Sequence, residues 1–128
     1  SPFQAKRIKN MPKKIKKFKK EMDKKDFYKF GSILEKESLN MHAICLTSEP
    51  PILYWEGTTM TIMRKVQEWR SQGLPVYFTI DAGPSVHLIC KGKYAEKVQE
   101  NLRKIKGIDR ISLNNPAKGA RIINKHLF

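Results

Sequence analysis

Apolar residues recur along the first stretch of the chain at Ile8, Met11, Ile15, Phe18 and Met22. These alternating three- and four-residue steps define one stripe of a helix, with lysines over the rest of its surface. Pro12 reads as the start or restart of that helix, because proline fits a first turn and removes a hydrogen bond from a helix interior. Asp26 is placed to cap a second helix running to about Leu46, with Phe27, Phe30, Ile33, Leu34, Met41, Ile44 and Cys45 as its buried side. Pro50-Pro51 stops it. A third helix is expected over 58–72, with Met60, Met63, Val66 and Trp69 inward and Gly73 just past its end.

The period then changes from helical to extended. Val76 to Ile80 and Val86 to Cys90 are short apolar runs rich in β-branched and aromatic residues, which predicts two antiparallel strands around the loop 81–85. Lys91-Gly92-Lys93 closes this hairpin. A fourth helix follows over 95–104, with Val98, Leu102 and Ile105 inward, and residues 108–113 and 119–124 read as further short strands. No internal repeat is present. The order predicts an α+β fold: a two-layer sandwich, mainly antiparallel sheet with helices packed on one face.

Charge changes the picture at one end. The 128 residues carry 26 Lys and Arg against 12 Asp and Glu, a net charge of +14, which points to an anionic partner or substrate. Eleven of the basic residues and only two acids, Glu21 and Asp23, fall in 1–25. The length fits one domain, 1–128, made of a lysine-rich amphipathic helix (1–25) and an α+β core (26–128). No apolar run approaches the ~20 residues of a membrane span, so no membrane partner is expected. Cys45 and Cys90, both beside apolar residues, read as buried reduced thiols of a cytosolic protein, with one disulfide between them as the alternative. Two Cys and three scattered His show no metal-ligand spacing, so no metal site is assigned. The chain opens on Ser1 rather than Met, which fits a start inside a longer product.

The stretch that carries chemistry is Tyr77-Phe78-Thr79-Ile80-Asp81-Ala82-Gly83-Pro84-Ser85-Val86-His87. A carboxylate at the end of a buried strand is not core, since burying an unpaired charge is costly. One reading makes Asp81 a turn residue that accepts hydrogen bonds from the amides after it. The other makes it a carboxylate presented beside a small-residue anion cradle, where Ala82 and Gly83 let backbone approach a ligand. His42 reads as a satisfied packing residue, His87 as opposite the core or facing a neighbouring helix with no chemical role, and Tyr54 and Trp55 as packing for the loop before the third helix.

These residues resemble a known family. Thr79 to Leu88 is similar to the aspartate loop of diphosphomevalonate decarboxylases, whose usual form is T-x-D-A-G-P-N. Ser1-Pro2-Phe3 resembles their T-S-P-F/L segment, Asp26-Phe27 with Phe30 their D-F-x-x-F, Glu37-Ser38 through Cys45-Leu46 their D-S-N-x-F-H-A-x-C-L, and Pro50-Pro51-Ile52 with Tyr54 their P-P-I-x-Y. Two positions depart: Leu39 and Ser85 stand where the family usually has Asn. Beyond Lys91 the likeness is one of helix and strand pattern alone.

The resemblance implies the C-terminal domain of the two-domain fold shared by galactokinase, homoserine kinase, mevalonate kinase and phosphomevalonate kinase. The phosphate-binding Pro-x-x-x-Gly-Leu-x-Ser-Ser-type segment of the first domain has no counterpart here, so an N-terminal ATP-binding domain is expected to be missing from this chain. The implied reaction is the ATP-dependent decarboxylation of mevalonate 5-diphosphate to isopentenyl diphosphate in the cytoplasm. Asp81 would be its catalytic group, Ala82, Gly83, Pro84 and Ser85 would bind the phosphorylated substrate, and ATP and Mg²⁺ would be held mainly by the first domain. Partners would be that domain and a second copy in a homodimer. Retention of Asp81 favours a decarboxylase over the sister reading of a mevalonate 3-kinase, while phosphomevalonate decarboxylase is the other sister activity. Two readings from other classes compete. One is a lysine-rich module on nucleic acid, and the other a scaffold joined through Met11, Ile15, Phe18 and Met22.

Overall fold

The computed structural model describes residues 1–119 and 122. Its elements run α1 (Gln4–Asp23), α2 (Phe27–Leu46), α3 (Gly57–Ser71), β1 (Val76–Ile80), β2 (Val86–Cys90), a 3₁₀ turn (Gly92–Tyr94) and α4 (Ala95–Arg103). The two β-rich runs pair antiparallel as expected, with Val76 opposite Cys90 and Ile80 opposite Val86. Alternation along β1 sends Val76, Phe78 and Ile80 to one side, where they meet Ile62, Met63, Val66 and Trp69 of α3 and Val98 of α4. Val66, Val76 and Phe78 are wholly removed from solvent, and each side chain buried in this way contributes about 1.5–3 kcal/mol. The α+β class and the hairpin are thus as the sequence predicts.

Helix α2 begins as anticipated, with the Asp26 carboxylate accepting the Lys29 amide at 3.1 Å. Its buried face is not the expected apolar one. The buried positions are Gly31, Glu35, Ser38 and His42, while Phe27, Phe30, Ile33, Leu34, Met41, Ile44 and Cys45 are only half-buried. The reason is what α2 packs against: beyond the Tyr77 ring, which closes on Gly31 and Phe27, it meets the outer edge of β1, where backbone groups need hydrogen-bond partners and an apolar helix face would leave them orphaned.

Other expectations are corrected. Helix α1 starts at Gln4 and runs through Pro12. Pro12 and Ile8 both lie on the exposed side, so the Ile8 carbonyl, which loses its amide partner to the proline, is not left in the interior. The apolar stripe of α1 is split: Met11 and Phe18 turn toward α2, and Phe18 stacks on Phe30 at 5.0 Å. Ile8, Ile15 and Met22, spaced seven apart, remain exposed. In α3, Met60 is exposed and Ile62 is buried in its place, because Thr59, Ile62, Met63, Val66 and Trp69 form the stripe that faces the sheet. Residues 108–113 form no strand; among the described residues the sheet has two strands. The outer edge of β1 is already engaged by α2, and Ile108 instead packs against the core beside Leu102 and Ile105. Of the expected strand over 119–124, Gly119 and Ile122 are described and neither is in a strand; the rest lies outside the described residues.

Candidate active site

The loop 81–85 leaves the sheet at Ile80 and returns at Val86, the last pair of the ladder. Ile80 is held from outside the sheet. Its amide donates to Ser38 Oγ at 2.9 Å, and Ser38 Oγ donates back to the Ile80 carbonyl at 3.1 Å. His42 Nε2 lies 3.1 Å from the same carbonyl. A carbonyl oxygen only accepts, so Nε2 carries the ring proton. His42 is buried against Trp55, ring centroids 4.9 Å apart, and Tyr54 at 5.9 Å. The expectation that His42 is a satisfied packing residue and that Tyr54 and Trp55 pack beside α3 agrees with these contacts.

The same device continues down the strand. The Phe78 amide donates to Glu35 Oε2 at 3.3 Å, and Arg70 Nη1 donates to the Val76 carbonyl at 2.9 Å. Glu35, Ser38 and His42 sit at i, i+3 and i+7, one row of α2. That row presents to β1 the acceptors and donors that a third strand would supply.

At its far end the loop is held by α3. Thr59 Oγ1 donates to the Pro84 carbonyl at 2.8 Å and accepts the Glu56 amide at 3.3 Å. Thr59 is 2% exposed while Pro84 is exposed, so the contact is half-buried, at the wall of the cleft described below. Between the two anchors, Gly83 takes φ 157°, at the edge of what residues with a Cβ adopt, and no atom lies within 4 Å of where a Cβ would stand.

Asp81 itself is exposed. Among the described residues, no amide and no cation pairs with its carboxylate. The turn-residue reading, in which Asp81 accepts from the amides after it, therefore has no hydrogen bond to rest on. Ala82, Pro84 and Ser85 are exposed beside it and Gly83 is half-buried. Pro84 and Ser85 line one end of a cleft of about 1070 Å³ that continues along Val86, Leu88 and Cys90 toward Ile108 and Leu113; Asp81, Ala82 and Gly83 lie outside its lining. Burial pushes the Cys90 thiol up, which keeps it protonated and unreactive at neutral pH. Cys45 and Cys90 are both free and half-buried, and His87 is exposed on the face away from the core.

The residues that the chain pattern did not single out are Glu35, Thr59 and Arg70. A signal existed for part of this set, since Glu35, Ser38 and His42 share a helical period that cuts across the apolar one. Among the described residues, no group of three or more His, Cys, Asp or Glu is arranged to hold a metal ion. No described helix is long and apolar enough to cross a membrane.

The class these features define is an α+β domain that braces a β-hairpin loop from two helices and carries on that loop one exposed carboxylate among small residues. The sequence places it more narrowly. Residues 1–122 match the model of the mevalonate 5-diphosphate decarboxylase C-terminal domain, and the chain belongs to that family. It is 34% identical over 94 residues to the diphosphomevalonate decarboxylase of Candida albicans, an alignment covering 73% of this chain and 26% of that protein. The fold is similar to the mevalonate pyrophosphate decarboxylase structure from Streptococcus pyogenes, with TM-score 0.77 and 30% identity over 81% of this chain and 33% of that one. It is similar also to the structure described as MDDEF in complex with MVAPP, AMPPCP and magnesium, with TM-score 0.78 and 31% identity over 84% of this chain and 33% of that one. The chain thus spans about a quarter of the curated relative and a third of the solved chains it matches.

Proposed function

We propose that residues 1–128 act as the C-terminal domain of an ATP-dependent decarboxylase. The enzyme converts mevalonate 5-diphosphate to isopentenyl diphosphate, ADP, phosphate and carbon dioxide. The observation that carries this reading is the exposed Asp81 carboxylate, unpartnered among the described residues, on a loop whose two ends are fixed. A tertiary alcohol is a poor nucleophile, so the reaction needs a group that takes or orients its proton. Asp81 fills that role when its oxygen comes within about 2.6–3.2 Å of the 3-hydroxyl. Ala82 and Gly83 keep bulk away from the approaching substrate, and Pro84 and Ser85 form the rim on the side of the cleft.

The described residues do not themselves fit ATP or Mg²⁺. They offer no metal-ligand cluster, and the exposed carboxylate of Asp81 repels phosphate unless cations supplied from elsewhere offset the charge. In this reading the nucleotide and metal belong to an N-terminal ATP-binding domain of the same protein, which is the first partner of this one. A homodimer and a cytoplasmic location complete it. Leu39, where the family usually has Asn, packs against the core, so this departure acts on packing and not at the loop. Ser85 is exposed at the rim of the cleft and is the position where a choice between one phosphate and two would be made.

Carbon dioxide release by the full-length protein with ATP and Mg²⁺, compared between mevalonate 5-diphosphate and mevalonate 5-phosphate, tests the proposal. Release from the diphosphate is the expected result. Release from the monophosphate alone assigns the sister decarboxylase, and phosphorylation without carbon dioxide assigns the kinase. The isolated 128-residue chain is expected to release none.

A further inference from the structure

We propose that Thr59 and Ser38 are positioning residues that together set the place of Asp81. This inference rests on the role given to Asp81 above and adds what fixes that carboxylate. The ladder of the hairpin ends at Ile80 and Val86, so residues 81–85 have no strand partner. Pro84 has no N–H of its own, which leaves its carbonyl as the backbone group at that end to be anchored; Thr59 Oγ1 donates to it at 2.8 Å. Ser38 Oγ bonds both backbone groups of Ile80, at 2.9 and 3.1 Å, one residue before Asp81.

Both hydroxyls are deeply buried, with Thr59 2% and Ser38 7% exposed, and the backbone they hold is also dry at Ile80, 1% exposed. The Ser38 bonds are buried and hold their geometry without competition from water, and the Thr59 bond is half-buried, fixed at its donor end. The residue between the anchors is the reverse: solvent-exposed and without a partner of its own among the described residues. Protection of a strand edge explains Ser38 by itself. It does not explain Thr59, which contacts the loop beyond the sheet and comes from a different helix. Thr59 Oγ1 also caps the start of α3 by accepting the Glu56 amide, and the one segment that both hydroxyls reach is the one that carries Asp81.

A group that must meet a reacting hydroxyl within a few tenths of an ångström loses rate when its support slackens, and a displacement of about 1 Å costs on the order of 10²-fold. Thr59→Val keeps the shape and removes the donor; Ser38→Ala removes the hydroxyl. In the full-length enzyme each is expected to lower kcat by about 10- to 100-fold, with KM for ATP and for the phosphorylated substrate within about threefold. Thr59→Ser, which keeps the hydroxyl, is expected to restore kcat. Val66→Ala, a cavity in the core away from the loop, controls for destabilisation: it lowers Tm and leaves kcat near normal. Exchange of the Ile80 amide, which donates to Ser38 Oγ, is expected to speed up in Ser38→Ala and not in Val66→Ala.

Normal kcat in both Thr59→Val and Ser38→Ala, or a loss that Val66→Ala reproduces at equal Tm, overturns the assignment. Asp81→Asn run in parallel separates the two claims. If it is inactive while the hydroxyl variants are normal, the positioning role fails alone; if Asp81→Asn is fully active, the catalytic role fails with it.

Discussion

Arg70 Nη1 and Nη2 reach the two oxygens of Glu35 at 2.8 Å each, so that α3 and α2 clasp across the outer edge of β1. The same Nη1 donates to the Val76 carbonyl, Glu35 Oε2 accepts the Phe78 amide, and the guanidinium lies 4.6 Å from the centre of the Tyr77 ring. A bidentate pair with both partners further engaged is worth more as a fixed geometry than as a charge contact. It closes the side of the sheet where an unpaired strand would otherwise invite a second chain.

Arg70→Met tests the clasp. Glu35 then keeps a nearly buried carboxylate with one amide as partner, and breaking such a pair from one side costs about 3 kcal/mol. Urea denaturation of the chain measures it. A cost below about 1 kcal/mol would mean that solvent reaches Glu35 freely.

Gly31 is required by packing. A Cβ there would stand 2.1 Å from Tyr77 Cδ2 and 2.4 Å from Cγ, inside the ring. Tyr77 is 6% exposed and held by Phe27 and Arg70, so it has little room to move. In a free helix Gly31→Ala would gain up to about 1 kcal/mol. Here overpacking wins, and the expected outcome is a loss of about 1–3 kcal/mol. Tyr77→Leu in the same chain should relieve part of it, and a stabilised Gly31→Ala would contradict the close approach.

The docking of α1 on α2 is expected to be acid-sensitive. Glu37 bonds Arg7, and its Oε2 lies 2.8 Å from Lys14 Nζ. Partial burial pushes the Glu37 carboxyl up, but the two cations outweigh it and hold the group below the ordinary value of 4.5. A depressed folded-state value means stability that is present in full above the unfolded value and lost as pH falls through the folded one. Glu37→Gln should therefore be less stable than the parent by up to about 1 kcal/mol at neutral pH. That gap should shrink as pH falls below 4.5 and close once it has passed through the lower folded-state value. A gap that persists in acid would assign the contact to shape and not to charge.

What the chain pattern revealed, and what it hid, follows one rule. Elements that bury an apolar face against another apolar face were legible: β1, β2 and the Val66–Trp69 side of α3 are where alternation and helical period put them. Elements whose partner is backbone were not. The polar row Glu35, Ser38, His42 looks like a solvated stripe until β1 is known to end there. In α1 the period was correct and the facing was not, since one neighbour uses only part of the stripe and Ile8, Ile15 and Met22 stay exposed. Ile15→Gln is accordingly expected to change stability by less than about 0.5 kcal/mol. Phe18→Ala, which removes the ring stacked on Phe30, should cost over 1 kcal/mol, and thermal melts of the two variants compare them. Asp81 was legible as an exception, a charge at the end of a buried strand; Thr59 was not, because a threonine in the first turn of a helix reads as part of that helix's own cap and nothing in the pattern marks it as an anchor for a distant loop.

The central claim is that Asp81 moves or orients the proton of the reacting hydroxyl. Its most direct test is the turnover of Asp81→Asn in the full-length protein, read as carbon dioxide released from mevalonate 5-diphosphate in the presence of ATP and Mg²⁺. The amide is nearly the same size and cannot accept a proton, so kcat should fall by about 10²- to 10⁴-fold while the fold and Tm are kept. Turnover within a few-fold of the parent would contradict the assignment and return Asp81 to an ordinary loop residue.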